Sequence, residues 1–387
     1  MKPAGPLSGI TVVDLSRVLA GPYCTMVLAD LGARIIKVEA PGAGDDSRAY
    51  GPFVNGRSAY FMSLNRGKES IALDLKAEAD RATFDGLLDQ ADVLVENYRA
   101  GTMDRLGFGW DVLHQHHPRL IYAAVSGFGR TGPYASRAAY DIIVQAMGGV
   151  MSLTGHPDTP PVRVGSSIGD IVAALFLSTG INAALYHRSL TGEGTLIDVA
   201  MLDAQVAILE NAIARYATTG SVPGPLGARH PSITPFDAFA AADGYLVIAA
   251  GNDLLFRRLC SVLERPDLAD NPLFGSNDLR TRHQAALKDE LEAALRLQSV
   301  DQWLRALEAT GIPSGPINTV DRVMSDPQVI ARNMVVSTDD PVAGVLALAG
   351  NPLKFSAFPD PAIRPPAPEL DADREQILGS LHRRPSG

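Results

Sequence analysis

The chain has 387 residues, 46% of them hydrophobic and 20% charged, with a formal net charge of −9. That length exceeds what one simple core needs and points to two domains or one large α/β unit. The composition is that of an ordinary soluble globule, and an acidic balance without a Lys/Arg stripe argues against a nucleic-acid surface.

The first residues, Met1-Lys-Pro-Ala-Gly-Pro6, lack the apolar core of a signal segment, and no stretch reads as a membrane span. Residues 11–15, 33–38, 93–96 and 120–125 are short apolar, β-branched runs that read as buried parallel strands. Between them, residues 21–31, 77–90 and 102–114 carry helical spacing. Alternation of this kind predicts an α/β, Rossmann-like parallel sheet with ligands at the carboxyl ends of its strands. The first strand is followed by Asp14-Leu-Ser-Arg-Val-Leu-Ala-Gly21 in place of GxGxxG, which weighs against a nicotinamide dehydrogenase.

From Asp170 to Tyr186 the chain is apolar at helical spacing. After Gly192-Glu-Gly194 a strand-like run precedes a helix over about 202–218. The Gly/Pro-rich run 220–229 reads as a linker. Strand signals restart at 236–239 and 244–250, followed by helices, so residues 230–330 read as a smaller α+β domain. Residues 331–387 then return to the large domain formed by residues 1–219, with a proline-rich extended stretch at 359–368. Cys24 and Cys260 form no CxxC pair and read as buried, reduced thiols of a cytoplasmic protein. The eight histidines show no ligand spacing, so no metal is expected.

Asp170, in Gly165-Ser-Ser-Ile-Gly-Asp170-Ile-Val-Ala-Ala-Leu-Phe176, stands where small residues give way to an apolar helix. Taken alone it reads as a helix cap. Its context says more. Upstream are Leu19-Ala-Gly-Pro-Tyr-Cys-Thr25, Leu31-Gly-Ala-Arg-Ile-Ile-Lys-Val-Glu39, Gly44-Asp-Asp-Ser-Arg48, Leu64-Asn-Arg-Gly-Lys68, Ala91-Asp-Val-Leu-Val-Glu-Asn-Tyr98 and Ala139-Tyr-Asp-Ile-Ile-Val-Gln-Ala-Met-Gly-Gly149. Downstream are Gly192-Glu-Gly-Thr-Leu-Ile-Asp-Val-Ala-Met201 and Gly311-Ile-Pro-Ser-Gly-Pro316. In that order, from about Leu7 to Pro361, the chain resembles the class III CoA-transferases.

The resemblance implies that Asp170 is a nucleophile carrying the acyl group and that acyl-CoA and a small carboxylic acid are the substrates, with no further cofactor. It implies CoA contacts from Val18, Leu73, Asn97, Arg105 and Tyr140. Arg137 stands one place before the counterpart of a family lysine. Arg48 and Arg137 are further candidates for phosphate, because guanidinium pairs its oxygens bidentately. Gly251 matches a mobile glycine loop beside the oxyanion, where this chain has one glycine in place of a run. The resemblance also implies ring-shaped chains in an interlocked homodimer. The runs 230–239 and 244–252 look most like succinyl-CoA:glutarate and related dicarboxylate enzymes, which makes succinyl-CoA the expected donor.

Three alternatives remain: an α-methylacyl-CoA racemase-like isomerase of the same fold, a dehydrogenase and a silent CoA binder. The racemase needs a base pair where this chain has Tyr140-Asp141, and a tyrosine of pKa near 10 is a poor base at neutrality. Asp141 reads instead as a helix brace.

Overall fold

A computed structural model describes residues 5–381. Strands β1 (Thr11–Asp14), β2 (Arg34–Glu39), β3 (Glu69–Ala72), β4 (Val93–Glu96), β5 (Ile121–Ser126) and β6 (Leu196–Ala200) form one sheet in the order β3-β2-β1-β4-β5-β6. Every neighbouring pair is parallel.

Side chains alternate between the two faces of a strand, and both faces are buried, which is why these strands read as unbroken apolar runs. Val12, Ile35, Val93 and Val95 pack on one face under helices α1 (Ala20–Asp30) and α4 (Ile168–Thr191). Val13, Ile36 and Leu94 pack on the other face under α2 (Glu78–Leu88), through Phe84 and Leu87. The strand order reverses between β1 and β4, so the crevice outside their carboxyl ends is where such a sheet takes a ligand.

Two further helices, α3 (Asp141–Met147) and α5 (Met201–Ala207), pack against α4. Edge strand β3 is covered by the chain's later part. Ser70 and Ala72 N–H groups donate to the carboxylates of Asp373 and Asp371, and Arg374 donates to the Ala72 carbonyl. An open parallel edge is thereby removed as a template for foreign strands.

Several expectations are corrected. The single helix over 102–114 is two, Thr102–Leu106 and Trp110–His116, because Phe108 turns in to bury its ring edge-on against Phe84 at 4.8 Å. The helix over 202–218 is also broken, into Met201–Ala207 and Ala212–Thr219. Helix α4 is long and apolar enough, by length and composition, to cross a membrane, with a mean hydropathy of 1.7. Its Ala173, Ala174, Leu177, Ile181 and Ala184 are nonetheless buried in the core beside the sheet.

The chain divides into two compact units. Among the described residues the first holds 5–150, 163–217 and 327–381, and the second holds 151–162 and 218–326. Residues 151–162, read from sequence as part of the large domain, go with the second unit because the Gly227 N–H donates to the Gly155 carbonyl at 2.8 Å. The second unit has an antiparallel sheet of Phe236–Ala240, Tyr245–Ala249 and Ser314–Pro316, backed by Asp253–Val262, Gln284–Leu295 and Val300–Ala309. Phe239, Leu246, Phe256, Leu291 and Trp303 are its core. Cys24 and Cys260 are buried free thiols.

Candidate active site

A cavity of about 450 Å³ opens where the strand order reverses. Its wall takes Val18 and Leu19 from the turn after β1, Asn97 and Tyr98 from the turn after β4, and Tyr140 and Asp170 from the starts of α3 and α4.

Asp170 sits in the first turn of α4, half-buried. It caps nothing. Among the described residues its carboxylate accepts no hydrogen bond, and the capping task falls to Asp141, whose Oδ1 accepts the Gly169 N–H at 2.8 Å. Asp141 is itself held by Gln145 Nε2 at 2.8 Å and by Arg163 at 3.3 Å. Position 169 must be glycine for this packing, since a Cβ there would stand 2.7 Å from Val144 Cγ2 and 2.9 Å from Asp141 Oδ1.

A helix N-terminus favours a carboxylate, but burial and, next, the Asp141 charge outweigh it and push the Asp170 carboxyl up to about 7. Tyr60, on the short helix Ala59–Asn65, is within electrostatic reach of Asp170. Burial, followed by that negative charge, pushes its hydroxyl to about 12. With both Asp141 oxygens engaged and the residue 9% exposed, it is a brace and not the base a racemase needs.

The turn after β1 is held by side chains from three other elements. Asn97 Oδ1 accepts the Arg17 N–H at 2.8 Å and Asn97 Nδ2 donates to the Arg17 carbonyl at 2.7 Å. The Asp45 carboxylate accepts the Val18 N–H at 3.0 Å. Lys37, fully buried, donates to the Ser16 carbonyl at 2.7 Å and pairs with Asp45 at 2.8 Å. Lys68 pairs with Asp14 at 3.1 Å, and Glu39 binds Arg48 at 2.7 Å. Three buried carboxylates thus meet three cations beneath the cavity. The two nearby lysines and the Ser16 and Thr25 hydroxyls overcome burial and hold Asp14 at about 2.

The cavity gathers Val18, Asn97, Arg137, Tyr140 and Asp170 of the sequence candidates. Arg137 stacks on Tyr134 at 4.6 Å, and Tyr140 is 72% exposed. Four other candidates do not line it. Leu73 is a core residue, 3% exposed, packed under α2. Arg48 is engaged by both Glu39 oxygens and lies 3.8 Å over the Phe61 ring. Arg105 is exposed and donates to Thr102, a lining residue. Gly251 belongs to the second unit, where its Cα abuts Ile233. A Cβ would lie 2.0 Å from Ile233 Cγ2, so packing alone accounts for this glycine.

Sequence reasoning missed Arg17 and Arg99, which line the same wall. Each stands three residues past a strand end, Asp14 and Glu96, and the rule that ligands bind there was the available signal. With Arg137 they give the wall three guanidinium groups, of which Arg17 is paired at 2.8 Å with Asp46 on the same wall, a set suited to an anionic ligand such as one bearing phosphates. A half-buried, unpartnered carboxylate facing such a ligand can attack an electrophilic carbonyl.

The profile of CoA-transferase family III matches residues 7–374. The acetyl-CoA:oxalate CoA-transferase of Acetobacter aceti is 49% identical, covering 96% of this chain and 94% of its own. The succinate–glutarate CoA-transferase of Agrobacterium fabrum is 40% identical over 97% and 96%. A crystal structure of a CAIB/BAIF family protein from Brucella suis matches with a TM-score of 0.86 at 39% identity, over 97% of this chain and 99% of that one. The cavity at the reversal point, its free aspartate and these full-length matches agree: the chain belongs to CoA-transferase family III, and it is an enzyme of that class.

Proposed function

We propose that this protein moves CoA from an acyl-CoA donor to a small dicarboxylic acid, with Asp170 as the nucleophile. The observation that carries the reading is a cavity-lining carboxylate free of hydrogen-bond partners at the start of α4. The Asp170 carboxylate attacks the thioester carbonyl. The tetrahedral oxyanion collapses, the C–S bond breaks, and CoA thiolate leaves a mixed anhydride. The thiolate then attacks the Asp170 carbonyl carbon, expelling the donor acid and forming an aspartyl-CoA thioester. The acceptor carboxylate attacks that thioester, and the released thiolate takes the acceptor's acyl group, restoring Asp170. No ATP and no other cofactor enters.

In this reading Val18, Arg137 and Tyr140 contact CoA on the wall and Arg105 contacts it from the rim. Gly251 keeps its role beside the oxyanion as a proposal resting on the resemblance alone. Dicarboxylate acceptors are supported by relatives named for oxalate, glutarate and mesaconate. Succinyl-CoA is the donor favoured by sequence, and acetyl-CoA is the donor in the name of the relative at 49% identity. The active species is proposed to be a cytoplasmic homodimer of interlocked rings. Leu175, Phe176, Tyr186 and Leu190, exposed on α4, supply apolar surface for such a partner.

Covalent trapping tests the mechanism. A thioester on Asp170 is an activated acyl group, so hydroxylamine converts it to a hydroxamate and inactivates the enzyme, whereas a resting carboxylate is inert. The adduct is expected in the tryptic peptide Val164 to Arg188, and only after incubation with a donor. Running acetyl-CoA and succinyl-CoA in parallel identifies which one loads the residue. An adduct on another carboxylate rejects Asp170. Its absence from an enzyme that turns over rejects the covalent route.

The same carboxyl predicts a pH dependence. Only the ionised form attacks, so acylation should rise with pH through a limb near 7. Asp141→Asn keeps an acceptor for the Gly169 N–H but removes the facing charge. The limb should move to lower pH, with Tyr60, un-ionised in this range, contributing nothing to it. A limb that stays in place when Asp141 is neutralised rejects this electrostatic origin of the raised value.

A further inference from the structure

Val18 has a backbone φ of +66°, in the left-handed region that a β-branched residue avoids. Its turn is not left to itself. Five consecutive backbone polar groups are each taken by a side chain: Ser16 N–H by Asp14, Ser16 C=O by Lys37, Arg17 N–H and C=O by Asn97, and Val18 N–H by Asp45. Both ends of the Asn97 amide bond Arg17. These two bonds fix the Asn97 amide to the turn, with one N–H and one lone pair to spare. A strained conformation so thoroughly determined by its surroundings, on the wall of a ligand cavity, marks preorganisation.

We propose that Asn97 is a positioning residue: together with Asp45 on the other side, it holds Arg17 and Val18 in a left-handed kink whose population sets how tightly the cavity takes CoA. This goes beyond the proposed function and rests on its placing of CoA in this cavity. It reassigns Asn97, expected from sequence to contact CoA, to the backbone of the turn that does. The physics is a population argument. Apparent affinity is the intrinsic affinity scaled by the fraction of protein already in the competent conformation. With the Asn97 side of the clamp removed, an L-residue with a branched Cβ relaxes toward negative φ, and that fraction falls. Glycine enters the left-handed region at no steric cost. At position 18 it would make the clamp largely redundant.

A double-mutant cycle read by calorimetric titration with free CoA tests this. Asn97→Ala is expected to weaken CoA binding about tenfold or more, the scale of one unsupported backbone outlier. In the V18G background the same Asn97→Ala change should cost less than about threefold, so the two positions are strongly coupled. If Asn97 touched CoA directly, its loss would cost the same in both backgrounds, and the proposal would fall. It falls likewise if Asn97→Ala leaves affinity unchanged. A general folding defect is separated by melting temperature: it lowers stability equally with or without V18G and shows no coupling in affinity, which also overturns the proposal. If the wild-type protein fails to bind CoA at all, the CoA reading of the cavity fails first, and the role given to Asn97 goes with it. Binding by the wild type with no coupling sinks the clamp alone.

Discussion

Asp170→Asn is expected to abolish transfer while leaving the protein folded, able to bind CoA and more stable than the wild type above neutral pH. An amide is a far weaker nucleophile than a carboxylate, and loss of a covalent nucleophile costs several orders of magnitude in rate. Retention of more than about one-hundredth of wild-type activity would count against the assignment. The stability half follows from linkage. Asp170 titrates at about 7 in the folded state, against about 3.9 when unfolded. A carboxyl whose folded pKa is raised costs nothing below the unfolded value, and its cost grows as pH rises from about 4 to 7. The difference between those two values corresponds to about 4 kcal/mol at most. The folded value already contains the interaction of the carboxylate with the α4 N-terminus, so this figure is the ceiling on what asparagine gains. Paired thermal melts should show the variant above the wild type at pH 8 and level with it at pH 4. Equal melting at both pH values would mean that the carboxylate is as comfortable in the folded protein as in the unfolded chain. A residue whose removal improves stability and destroys activity is held for its chemistry.

The parallel sheet was legible because a strand buried on both faces needs no pattern beyond unbroken apolar residues, as in Val93-Leu-Val95. The edge strand Glu69–Ala72 was not, since its charged and small residues carry no such run. The side chains that cap its outer edge lie about three hundred residues away, at Asp371 and Asp373, where periodicity cannot reach. The breaks at Phe108 and near Ile208 escaped notice for a related reason: helical spacing continues through a turn whenever the turn residue is itself apolar. At the site, Asp170 stood out through the motifs around it, whereas its freedom from capping depends on Asp141, which the sequence places only as a brace of unspecified reach. The arginines divided by partner. Arg48 and Arg137 look alike in sequence, yet Glu39 sits opposite the first and no carboxylate opposite the second among the described residues. Which guanidinium stays free is a three-dimensional property.

The largest loss of stability is expected beneath the cavity, at Lys37→Met. Lys37 is fully buried between the Ser16 carbonyl and Asp45, and methionine keeps an unbranched stem, one atom shorter, without the charge. Removing it leaves three buried carboxylates facing two cations, and stranding one member of a buried pair costs about 3–5 kcal/mol. The cost has a ceiling, because Asp45 can escape by taking up a proton. At pH 7 that escape costs about 1.4 kcal/mol for each unit between pH and an ordinary carboxyl pKa near 4, or about 4 kcal/mol in all. The sign is therefore fixed. In the wild type the Lys37 ammonium and the hydrogen bonds to Asp45 overcome its burial and hold it below the usual carboxylate range. Its stabilising contribution is present above pH 4 and lost only as pH falls through the depressed value. In the variant the stranded carboxyl is relieved by acid, so the deficit should shrink by about 1.4 kcal/mol per unit as pH drops from 7 toward 4. Hydrogen exchange of the β1 and β4 amides, which report opening of this sheet and not of the second unit, reads the deficit directly. A deficit that does not vary with pH would mean that Lys37 stabilises the turn through its packing and its bond to Ser16 alone, with Asp45 at ease without it.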